Sequence, residues 1–450
     1  MGKLFGTDGV RGVAGQDLSP ELAMQIGRSA AYVLTGKLSH RPKFLIGKDT
    51  RISGDMLESA LAAGLCSVGA DVELLGVVPT PAVARMVQMY GADAGVVISA
   101  SHNPVEFNGI KIFKGDGYKL PDEIENEIEK IILEDIPVEL STGAAVGRVS
   151  VRRSAIDDYV EYLAQNAKAN LQGLNVAFDC ANGASSAVAQ KLFVRLGANC
   201  TFIGAQPDGT NINDGCGSTH LDKLAKFVVE NKLDAGIAFD GDADRCLAVD
   251  ELGQEIDGDK IIAILATDMK EKGELPDDTA VVTVMSNLGF MEFMRGQGMK
   301  IATTAVGDRY VLEEMREHGY GLGGEQSGHV ILLNHSTTGD GELTASHLLN
   351  VLAEKKCKMS QLNGIYTKFP QVLINIEANA AQKLRFKDDE YIQGFIESQQ
   401  QTLMGLGRVL VRVSGTEPLI RVMVEGKNEA DIARSAEMIA NKIKDRFVKA

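Results

Sequence analysis

The stretch AGVVISASHNP, residues 94–104, joins an apolar run to two serines, a histidine and a proline. Residues 94–98 are apolar and uncharged, which is typical of a short strand buried on both faces of a sheet. Ser101 then lies just past the carboxyl end of that strand. Open α/β sheets bind their ligands at this edge, because the loops there are free to converge. The stretch therefore predicts an α/β fold with a functional loop around Ser101.

Helix and strand patterns alternate on both sides of this stretch. Upstream, helical periodicity over 20–34 and 53–68 alternates with strands over 43–47 and 71–75. A second predicted α/β domain begins near residue 151, with strands over 174–178, 198–203, 234–239 and 246–250 and a helix over 185–196. A third begins near residue 253, with helices over 259–270 and 288–297 and strands over 279–284 and 300–303. We expect three weakly similar α/β domains in tandem, with mixed sheets.

The last part of the chain has a different pattern. Strand-like runs cover 371–376, 407–413 and 419–424, and an amphipathic helix covers 429–448, which favours a smaller C-terminal α+β domain. A chain of 450 residues, 44% of them hydrophobic, is also too long for a single core. The predicted domains are residues 1–150, 151–252, 253–364 and 365–450.

The composition argues against several classes of protein. A formal net charge of −15 leaves no broad basic surface for nucleic acid. No apolar run reaches the roughly 18 residues that span a bilayer, and the amino terminus lacks the pattern of a secretory signal. The six cysteines contain no CxxC pair, which in a cytosolic chain favours reduced thiols. We expect a soluble, cytoplasmic protein without a nucleic-acid or membrane partner.

A candidate metal loop follows the strand over 234–239. Asp240, Asp242 and Asp244 alternate with small residues, a spacing that lets three oxygen donors converge on one divalent cation. A calcium loop of the EF-hand type also has acidic residues at these positions, but it needs glycine where this chain has Arg245. Strands rather than helices also flank the loop. Magnesium beside a phosphate is the favoured interpretation, and a solvated acidic turn is the alternative.

The serine loop does not fit a hydrolase. His102 directly follows Ser101 and no GxSxG motif surrounds the serine, which is poor geometry for a nucleophile and its base. A serine that carries a phosphoryl group fits better, since a phosphate oxygen on Ser101 would complete the coordination of magnesium. An ordinary solvated turn is the alternative, because Asn-Pro favours turns.

Further segments combine backbone freedom with anion-binding or sugar-binding side chains. FGTDGVRG (5–12) surrounds Arg11 with glycines, and GGEQSGH (323–329) carries Glu325, Ser327 and His329, as expected of loops that approach a phosphate and sugar hydroxyls. RVSGTEPLIR (412–421) offers two arginines and two hydroxyls, a cradle for a phosphate. Lys111 adds a positive charge or a tunable base. Alone, the segment around Arg11 is a weak signal, GGEQSGH is equally consistent with a flexible turn, and RVSGTEPLIR is consistent with a hydroxyl-rich hairpin. Most surface lysines have neither of the roles suggested for Lys111.

Taken together and in this order, the segments resemble those of the α-D-phosphohexomutase family over essentially the whole chain. The forms FGTDGVRG, ISASHNP, VGDRYV (306–311) and GEQSGH are most similar to the branch that acts on amino sugars, and glucose-type and mannose-type relatives usually have methionine in place of Gln326. The metal loop departs slightly, with Ala243 where glycine is common. That difference matters only if the backbone needs positive φ there.

The resemblance implies an enzyme with four domains around a central cleft. A phosphorylated Ser101 would convert glucosamine 6-phosphate into glucosamine 1-phosphate through a bisphosphorylated sugar, a step that supplies UDP-N-acetylglucosamine and cell-wall synthesis. Expected requirements are one Mg²⁺ per chain and glucosamine or glucose 1,6-bisphosphate as primer. A phosphosugar is the expected partner, a homodimer is open, and the last domain is expected to close over substrate to exclude water.

The resemblance also implies roles for individual residues. Ser101 is the modified catalytic residue, and with Asp240, Asp242 and Asp244 it would hold the metal. The other catalytic residues are Arg11, His102, Lys111 and His329. The substrate would be bound by Arg245, Glu325, Ser327, Arg412, Ser414, Gly415, Thr416 and Arg421.

Three alternatives stay open on the sequence. A mutase of glucose or mannose phosphates differs from the expected enzyme in only a few loop residues, chiefly Gln326 and the turn at 307–309. A magnesium-dependent sugar phosphatase differs only in that water accepts the phosphoryl group. A protein that merely binds sugar phosphate or calcium would leave the Ser101 loop without a role.

Overall fold

The computed structural model describes residues 4–6, 8–36, 39–167, 169–414 and 418–448. The chain forms two compact units, one of Met1–Met285 with Met299–Ile365 and one of Ser286–Gly298 with Tyr366–Ala450. Three mixed sheets lie in the first unit and one antiparallel sheet lies in the second. The predicted class, three α/β domains followed by a smaller α+β domain, is confirmed.

The first domain has a six-stranded sheet in the order β1-β5-β4-β2-β3-β6. Its elements are β1 (Val10–Val13), α1 (Pro20–Thr35), β2 (Lys43–Lys48), α2 (Ser53–Ser67), β3 (Asp71–Val77), α3 (Thr80–Met89), β4 (Ala94–Ile98), β5 (Phe107–Lys114), α4 (Asp122–Leu133) and β6 (Val149–Val151). Ser19 caps α1 by accepting from Leu22 N. Helices α1 and α2 pack closely because Gly27 and Gly64 lack a Cβ that would meet a backbone oxygen of the facing helix.

The second domain has the order β11-β10-β9-β7-β8. Its elements are α5 (Ala155–Ala167), β7 (Asn175–Asp179), α6 (Ser185–Arg195), β8 (Asn199–Ile203), α7 (Asp222–Asn231), β9 (Ala235–Phe239), β10 (Cys246–Asp250) and β11 (Glu255–Ile256). The predicted strand over 246–250 matches β10, and the predicted acidic loop joins β9 to β10. Phe178 stacks on Phe193 with ring centroids 4.2 Å apart, which fastens α6 to the sheet.

The third sheet has the order β13-β12-β14-β15. The elements of this part of the chain are α8 (Gly258–Lys272), β12 (Thr279–Thr283), α9 (Leu288–Gly296), β13 (Lys300–Thr304), α10 (Asp308–His318), β14 (Leu322–Gly324), β15 (Val330–Leu332), α11 (Gly341–Lys355) and α12 (Met359–Asn363). The connection from β12 to β13 runs through α9, which belongs to the second unit.

All three mixed sheets repeat one topology. A central strand (β2, β7 or β12) pairs in parallel with the strand that follows it on one side, and then with the next strand (β4, β9 or β14) on the other side. That last strand then turns back into an antiparallel partner (β5, β10 or β15). Each sheet therefore has a switch point beside its central strand, where α/β proteins bind ligands. The serine loop (99–106), the candidate metal loop (240–245) and the predicted sugar-binding loop (325–329, called the sugar loop below) are the equivalent hairpin connections at these three switch points.

The second unit has its own core and a three-stranded sheet in the order β16-β18-β17. Its elements beyond α9 are β16 (Gln371–Glu377), α13 (Ala380–Asp388), α14 (Glu390–Thr402), β17 (Gly407–Val413), β18 (Leu419–Gly426) and α15 (Glu429–Ile443). The helix predicted over 429–448 is α-helical only to Ile443, and a wider turn continues over Lys444–Val448. Glu425, buried in this sheet, accepts from Leu288 N at 3.0 Å and so binds the start of α9.

Candidate active site

The serine loop holds its hydroxyl against the metal loop. Ser101 is buried and has φ of +52°, a left-handed conformation. Its Oγ donates to Asp240 Oδ2 at 2.5 Å, and its backbone N donates to Ser99 Oγ at 3.0 Å. The two motifs predicted to act together are thus in direct contact, although 139 positions separate these two residues in the sequence.

The carboxylates of Asp240, Asp242 and Asp244 fit a metal site. Each offers an oxygen within 4.8 Å of the others, and all three residues are buried. Asp242 Oδ1 and Asp244 Oδ1 have no hydrogen-bond donor, and buried carboxylate oxygens without donors or a cation are unfavourable. Oxygen ligands of this kind suit Mg²⁺. Among the residues that the structure describes, no other group of three His, Cys, Asp or Glu side chains is arranged for a metal.

The charges of this loop are unevenly balanced. Burial raises the pKa of Asp240 well above its ordinary value, and the neighbouring Asp244 and Asp242 raise it further. Burial also acts against ionisation of the other two, but Lys111 lowers the pKa of Asp242 below its ordinary value. Lys111 and His329 lower the pKa of Asp244 strongly. A divalent cation would offset the repulsion that Asp240 meets.

The backbone of the metal loop requires positive φ at Ala243, where φ is +57°. The left-handed region is unfavourable for a residue with a Cβ by roughly 1–2 kcal/mol. The substitution of glycine by alanine, noted from the sequence, therefore does strain the loop. Hydrogen bonds offset part of this strain, because Ala243 N donates to Asp240 O at 3.1 Å and Ala243 O accepts from Gly341 N at 2.9 Å.

Lys111 comes from β5 and reaches the same carboxylates. Its Nζ lies 2.9 Å from Asp242 Oδ2 and 3.7 Å from Asp244 Oδ2, and the side chain is buried. Burial would lower the pKa of Lys111, but the two carboxylates raise it above its ordinary value. Lys111 is therefore held as a cation. Thr80 Oγ1 donates to Asp242 Oδ2 at 2.7 Å on the other side.

His329 lies between two carboxylates at the end of the sugar loop. Its Nδ1 is 3.6 Å from Asp244 Oδ2, and its Nε2 is 3.6 Å from Asp308 Oδ2. Gly339 N also donates to Nε2 at 3.1 Å. Burial and this N–H oppose protonation of the ring, but Asp244 and Asp308 raise the pKa of His329 above its ordinary value. The two carboxylates therefore favour the protonated form of the imidazole.

The surroundings of His102 disfavour its protonated form, in contrast to those of His329. His102 is half-buried, and its Nδ1 lies 3.4 Å from Ser101 Oγ. Burial, and then the positive charges of Arg245 and Arg11, lower the pKa of His102 to about 4. His102 is consequently neutral at pH 7, in the state that accepts a proton.

The predicted sugar-binding residues lie on the hairpin between β14 and β15. Glu325 accepts from Gly307 N at 3.1 Å, which ties the sugar loop to the turn at 307–309. Burial raises the pKa of Glu325 above its ordinary value. Ser327 is exposed at the tip of the loop. Gln326 turns away and donates to Asp257 Oδ2 at 3.3 Å.

Arg245 and Arg11 complete the cationic side of the site. Arg245 N donates to Asp240 Oδ1 at 3.2 Å, and its Nε lies 3.9 Å from Asp244 Oδ1. Arg11 pairs with Asp8 at 3.6 Å. Burial would raise the pKa of Asp8, but Lys119 and Arg11 hold it well below its usual range.

The sequence motifs did not indicate roles for Thr80, Asp8, Lys119 or Asp308. Lys119 Nζ lies 2.5 Å from Asp308 Oδ2 and 3.4 Å from Asp8 Oδ1. It thereby links the segment FGTDGVRG, which contains Asp8, to the start of α10. Asp8 and Asp308 do occur in the quoted segments FGTDGVRG and VGDRYV. Thr80 and Lys119 belong to no recognisable spacing, so only the fold identifies them.

The predicted phosphate-binding residues of the tail lie in the second unit. Arg412 and Arg421 are direct partners across β17 and β18, so their side chains emerge on the same face of the sheet. Ser414 is buried, and its backbone N donates to Leu419 O at 2.8 Å. Gly415 and Thr416 lie outside the described residues. Two cations on one face beside a hydroxyl suit a phosphate.

Four family models match successive parts of the chain. They are the phosphoglucomutase/phosphomannomutase alpha/beta/alpha domains I, II and III, at residues 2–138, 157–253 and 257–369, and the C-terminal domain, at residues 373–442. The chain belongs to the phosphoglucomutase/phosphomannomutase family. This membership agrees with the α-D-phosphohexomutase resemblance of the sequence.

Individual members of this family are similar to the chain over its full length. The phosphoglucosamine mutase of Acetivibrio thermocellus is 53% identical over 448 residues, which are 99% of this chain and 100% of the relative. A phosphoglucomutase/phosphomannomutase family protein from Burkholderia thailandensis has a crystal structure with a TM-score of 0.81 at 25% identity, covering 97% of this chain and 96% of that one.

The N-acetylphosphoglucosamine mutase of Aspergillus fumigatus, solved with GlcNAc-6P and magnesium, gives a TM-score of 0.65 at 19% identity, covering 95% of this chain and all of that one. At that identity the likeness concerns the fold. Among the described residues, no helix is both long enough and apolar enough to cross a bilayer.

Proposed function

We propose that this chain is a phosphoglucosamine mutase, which interconverts glucosamine 6-phosphate and glucosamine 1-phosphate through a phosphorylated Ser101. The observation that carries the proposal is the contact between Ser101 Oγ and Asp240 within a buried carboxylate triad. The contact supports the proposal because it brings a serine hydroxyl together with three buried carboxylates, with Lys111 and Arg245 beside them. The full-length identity to a phosphoglucosamine mutase supports the substrate.

The reaction consists of two phosphoryl transfers. In the first, the bond between phosphorus and Ser101 Oγ breaks while a bond forms to the C1 oxygen of the 6-phosphosugar, and the hydroxyl proton of the sugar passes to a base. The bisphosphate then presents its other end, and the C6 phosphoryl group returns to Ser101 Oγ. Such transfers depend mainly on positioning and on compensation of charge.

The residues of the site divide these tasks by their charge. Lys111, held as a cation by Asp242 and Asp244, compensates charge on the transferred group and can donate a proton to the leaving oxygen. His102 is neutral and close to Ser101 Oγ, so its charge state suits a base. His329 serves as a proton donor on the sugar side. Arg245 and Arg11 bind phosphate oxygens beside the serine.

Asp240, Asp242 and Asp244, together with a phosphoryl oxygen on Ser101, would hold one Mg²⁺. When bound, it would supply positive charge to the transferred group. The proton transfers and the binding of the sugar are carried by side chains of the protein. Glu325 and Ser327 bind the sugar hydroxyls, and Arg412, Ser414, Gly415, Thr416 and Arg421 bind the phosphate that does not react. A glucosamine or glucose 1,6-bisphosphate would load Ser101 before the first turnover.

The test compares kcat/KM for glucosamine, glucose and mannose 1-phosphates, with Mg²⁺ and a trace of the bisphosphate primer. This ratio reports differential binding of the transition state. We expect a strong preference for glucosamine 1-phosphate. Equal or greater turnover of glucose or mannose phosphate would make the enzyme a general hexose phosphate mutase. Release of inorganic phosphate at the rate of sugar conversion would point to a phosphatase.

A further inference from the structure

Two side chains from different domains bind the same pair of carbonyl oxygens in the serine loop. Arg51 Nη2 donates to Ser101 O at 3.2 Å and to Asn103 O at 2.5 Å. Asn213 Nδ2 donates to the same two oxygens at 2.9 and 3.1 Å. We propose that Arg51 and Asn213 are positioning residues that hold the nucleophilic loop in its reactive conformation. This inference rests on the proposed phosphoryl transfer through Ser101.

The loop needs such support because its backbone is strained. Ser101 has φ of +52°, a left-handed conformation that is unfavourable for a residue with a Cβ. Without external contacts the loop would relax, and Oγ would lose its direction toward Asp240. Ser101 O and Asn103 O belong to the peptide units that follow Ser101 and Asn103, so fixing both oxygens fixes the backbone directly after the nucleophile.

Arg51 is itself held rigidly, and its charge is compensated. Its side chain is fully buried and pairs with the equally buried carboxylate of Asp49. Asp49 also accepts from Arg51 N at 2.9 Å and from Ser99 Oγ at 2.5 Å. Ser99 Oγ in turn accepts from Ser101 N. Because Asp49 offsets the positive charge, we infer that Arg51 acts through the geometry of its planar donors more than through its charge.

Asn213 adds a link from the second domain to the serine loop. Its φ is +59°, which asparagine tolerates better than most residues. Its backbone N donates to Ala181 O at 2.9 Å, which fixes it beside the carboxyl end of β7. Gly241 of the metal loop packs against the same place, since a Cβ there would come within 2.5 Å of Ser101 O. The clamp therefore couples the position of Ser101 to the domain that carries the metal loop.

The test removes the Asn213 amide without adding strain. Asn213→Gly deletes both donors, and glycine adopts positive φ freely. Asn182→Gly is the matched control, because Asn182 has φ of +47° and donates to Asn211 O rather than to the serine loop. We expect Asn213→Gly to lower kcat by about 10- to 100-fold with KM nearly unchanged. The control should retain the wild-type kcat, and both variants should unfold at similar temperatures.

Two further measurements distinguish a change in the position of the serine loop from a general loss of structure. The first is the rate at which glucose 1,6-bisphosphate phosphorylates Ser101, followed by ³¹P NMR, which should fall in Asn213→Gly but not in Asn182→Gly. The second is amide hydrogen exchange over residues 99–104, which should become faster in Asn213→Gly and in Arg51→Lys. Arg51→Lys keeps the charge but loses the planar fork.

Wild-type loading of Ser101 and unchanged exchange in Asn213→Gly would overturn the clamp, as would equal effects of the two glycine variants. A wild-type enzyme that loads Ser101 but prefers glucose phosphates would contradict the proposed substrate and leave the clamp intact. If the wild-type protein does not load phosphate, the proposed function fails, and the exchange measurement alone decides whether the clamp holds the loop.

Discussion

Ser101 meets three structural requirements at once. Its backbone adopts the left-handed region, its N–H binds Ser99 and its hydroxyl binds Asp240. Each of these contacts turns the side chain toward the carboxylate triad. The exposed Ser59 of α2 has none of these contacts and donates only to Asp55 O, so the proposed role of Ser101 depends on its surroundings and not on its residue type.

Removal of the Ser101 hydroxyl should abolish turnover and leave the fold intact. Ser101→Ala deletes the oxygen that would carry the phosphoryl group in the proposed mechanism, so we expect mutase activity to fall by at least about 10³-fold. The loss of one hydrogen bond to Asp240 should reduce stability by only about 1 kcal/mol. Ser59→Ala, which removes an exposed helical hydroxyl bonded to Asp55 O, is the control. Near wild-type turnover in Ser101→Ala would contradict the phosphoserine mechanism.

Glu125 in the first turn of α4 should make stability depend on pH. Burial and the nearby Asp122 raise the pKa of Glu125 from 4.5 to about 7. The folded state therefore binds this proton more tightly than the unfolded state, and the stability that it contributes is present below pH 4.5 and lost as the pH rises through 7.

Glu125→Gln keeps the protonated shape of this side chain at every pH. We expect it to be more stable than the wild type at pH 8 by about 1–2 kcal/mol, after allowing for solvent screening, and equally stable at pH 4. Urea unfolding at the two pH values measures this. Glu123→Gln, an exposed change in the same helical turn, should shift stability by less than about 0.5 kcal/mol. Equal changes in stability in both variants would mean that the effect comes from removing a negative charge at the start of α4 and not from the burial of Glu125.

At the scale of elements, the site is built from three equivalent hairpins. The loops β4–β5, β9–β10 and β14–β15 carry Ser101, the carboxylates and Glu325, each beside the central strand of its sheet. The hairpins impose tight backbone conformations. Ala243 shows the consequence most clearly, because it keeps a Cβ in a left-handed position.

A comparison of two alanines should measure this strain. Ala243 and Ala184 are both buried, but Ala184 has an ordinary helical φ of −66°. Both glycine substitutions remove one methyl group, and only Ala243→Gly also relieves a positive φ. We expect Ala243→Gly to be less destabilising than Ala184→Gly by at least about 1 kcal/mol in urea unfolding. Equal losses would mean that the hydrogen bonds of the loop already remove the strain.

The sequence predicted these elements where local patterns determine them. The apolar runs over 94–98 and 246–250 correspond to β4 and β10, and the strand-like runs on both sides of the carboxylates predicted a loop between strands. Thr80, Lys119 and the clamp of Arg51 with Asn213 were not predicted, because each is a single residue brought in by long-range packing. The amphipathic pattern of 288–297 shows that α9 buries one face, but it does not identify the second unit as its partner.

At the scale of the whole molecule, the carboxylate triad concentrates negative charge in the interior of a folded chain. Asp240 resists ionisation because of burial and of Asp244 and Asp242. A neutral side chain of the same shape at position 240 should remove this repulsion. In the wild-type protein, a bound cation should offset it instead. Replacement of Asp240 by a neutral residue is therefore expected to raise the stability of the metal-free protein and to weaken its binding of the cation.

Asp240→Asn tests this coupling. With a chelator present at pH 8, we expect the variant to unfold at a higher temperature than the wild type, because it lacks a buried charge. Its amide oxygen can still accept from Arg245 N, and its amide nitrogen can donate to Ser101 Oγ in place of the hydrogen bond that Asp240 accepts. Mg²⁺ at about 100 times its Kd should then stabilise the wild type by about 2.7 kcal/mol and the variant much less. Asp250→Asn, which alters a buried carboxylate bonded to Asn363, should lose stability yet keep the full response to Mg²⁺. An undiminished response in Asp240→Asn would place the cation elsewhere, since only loss of a ligand reduces the response without weakening the fold.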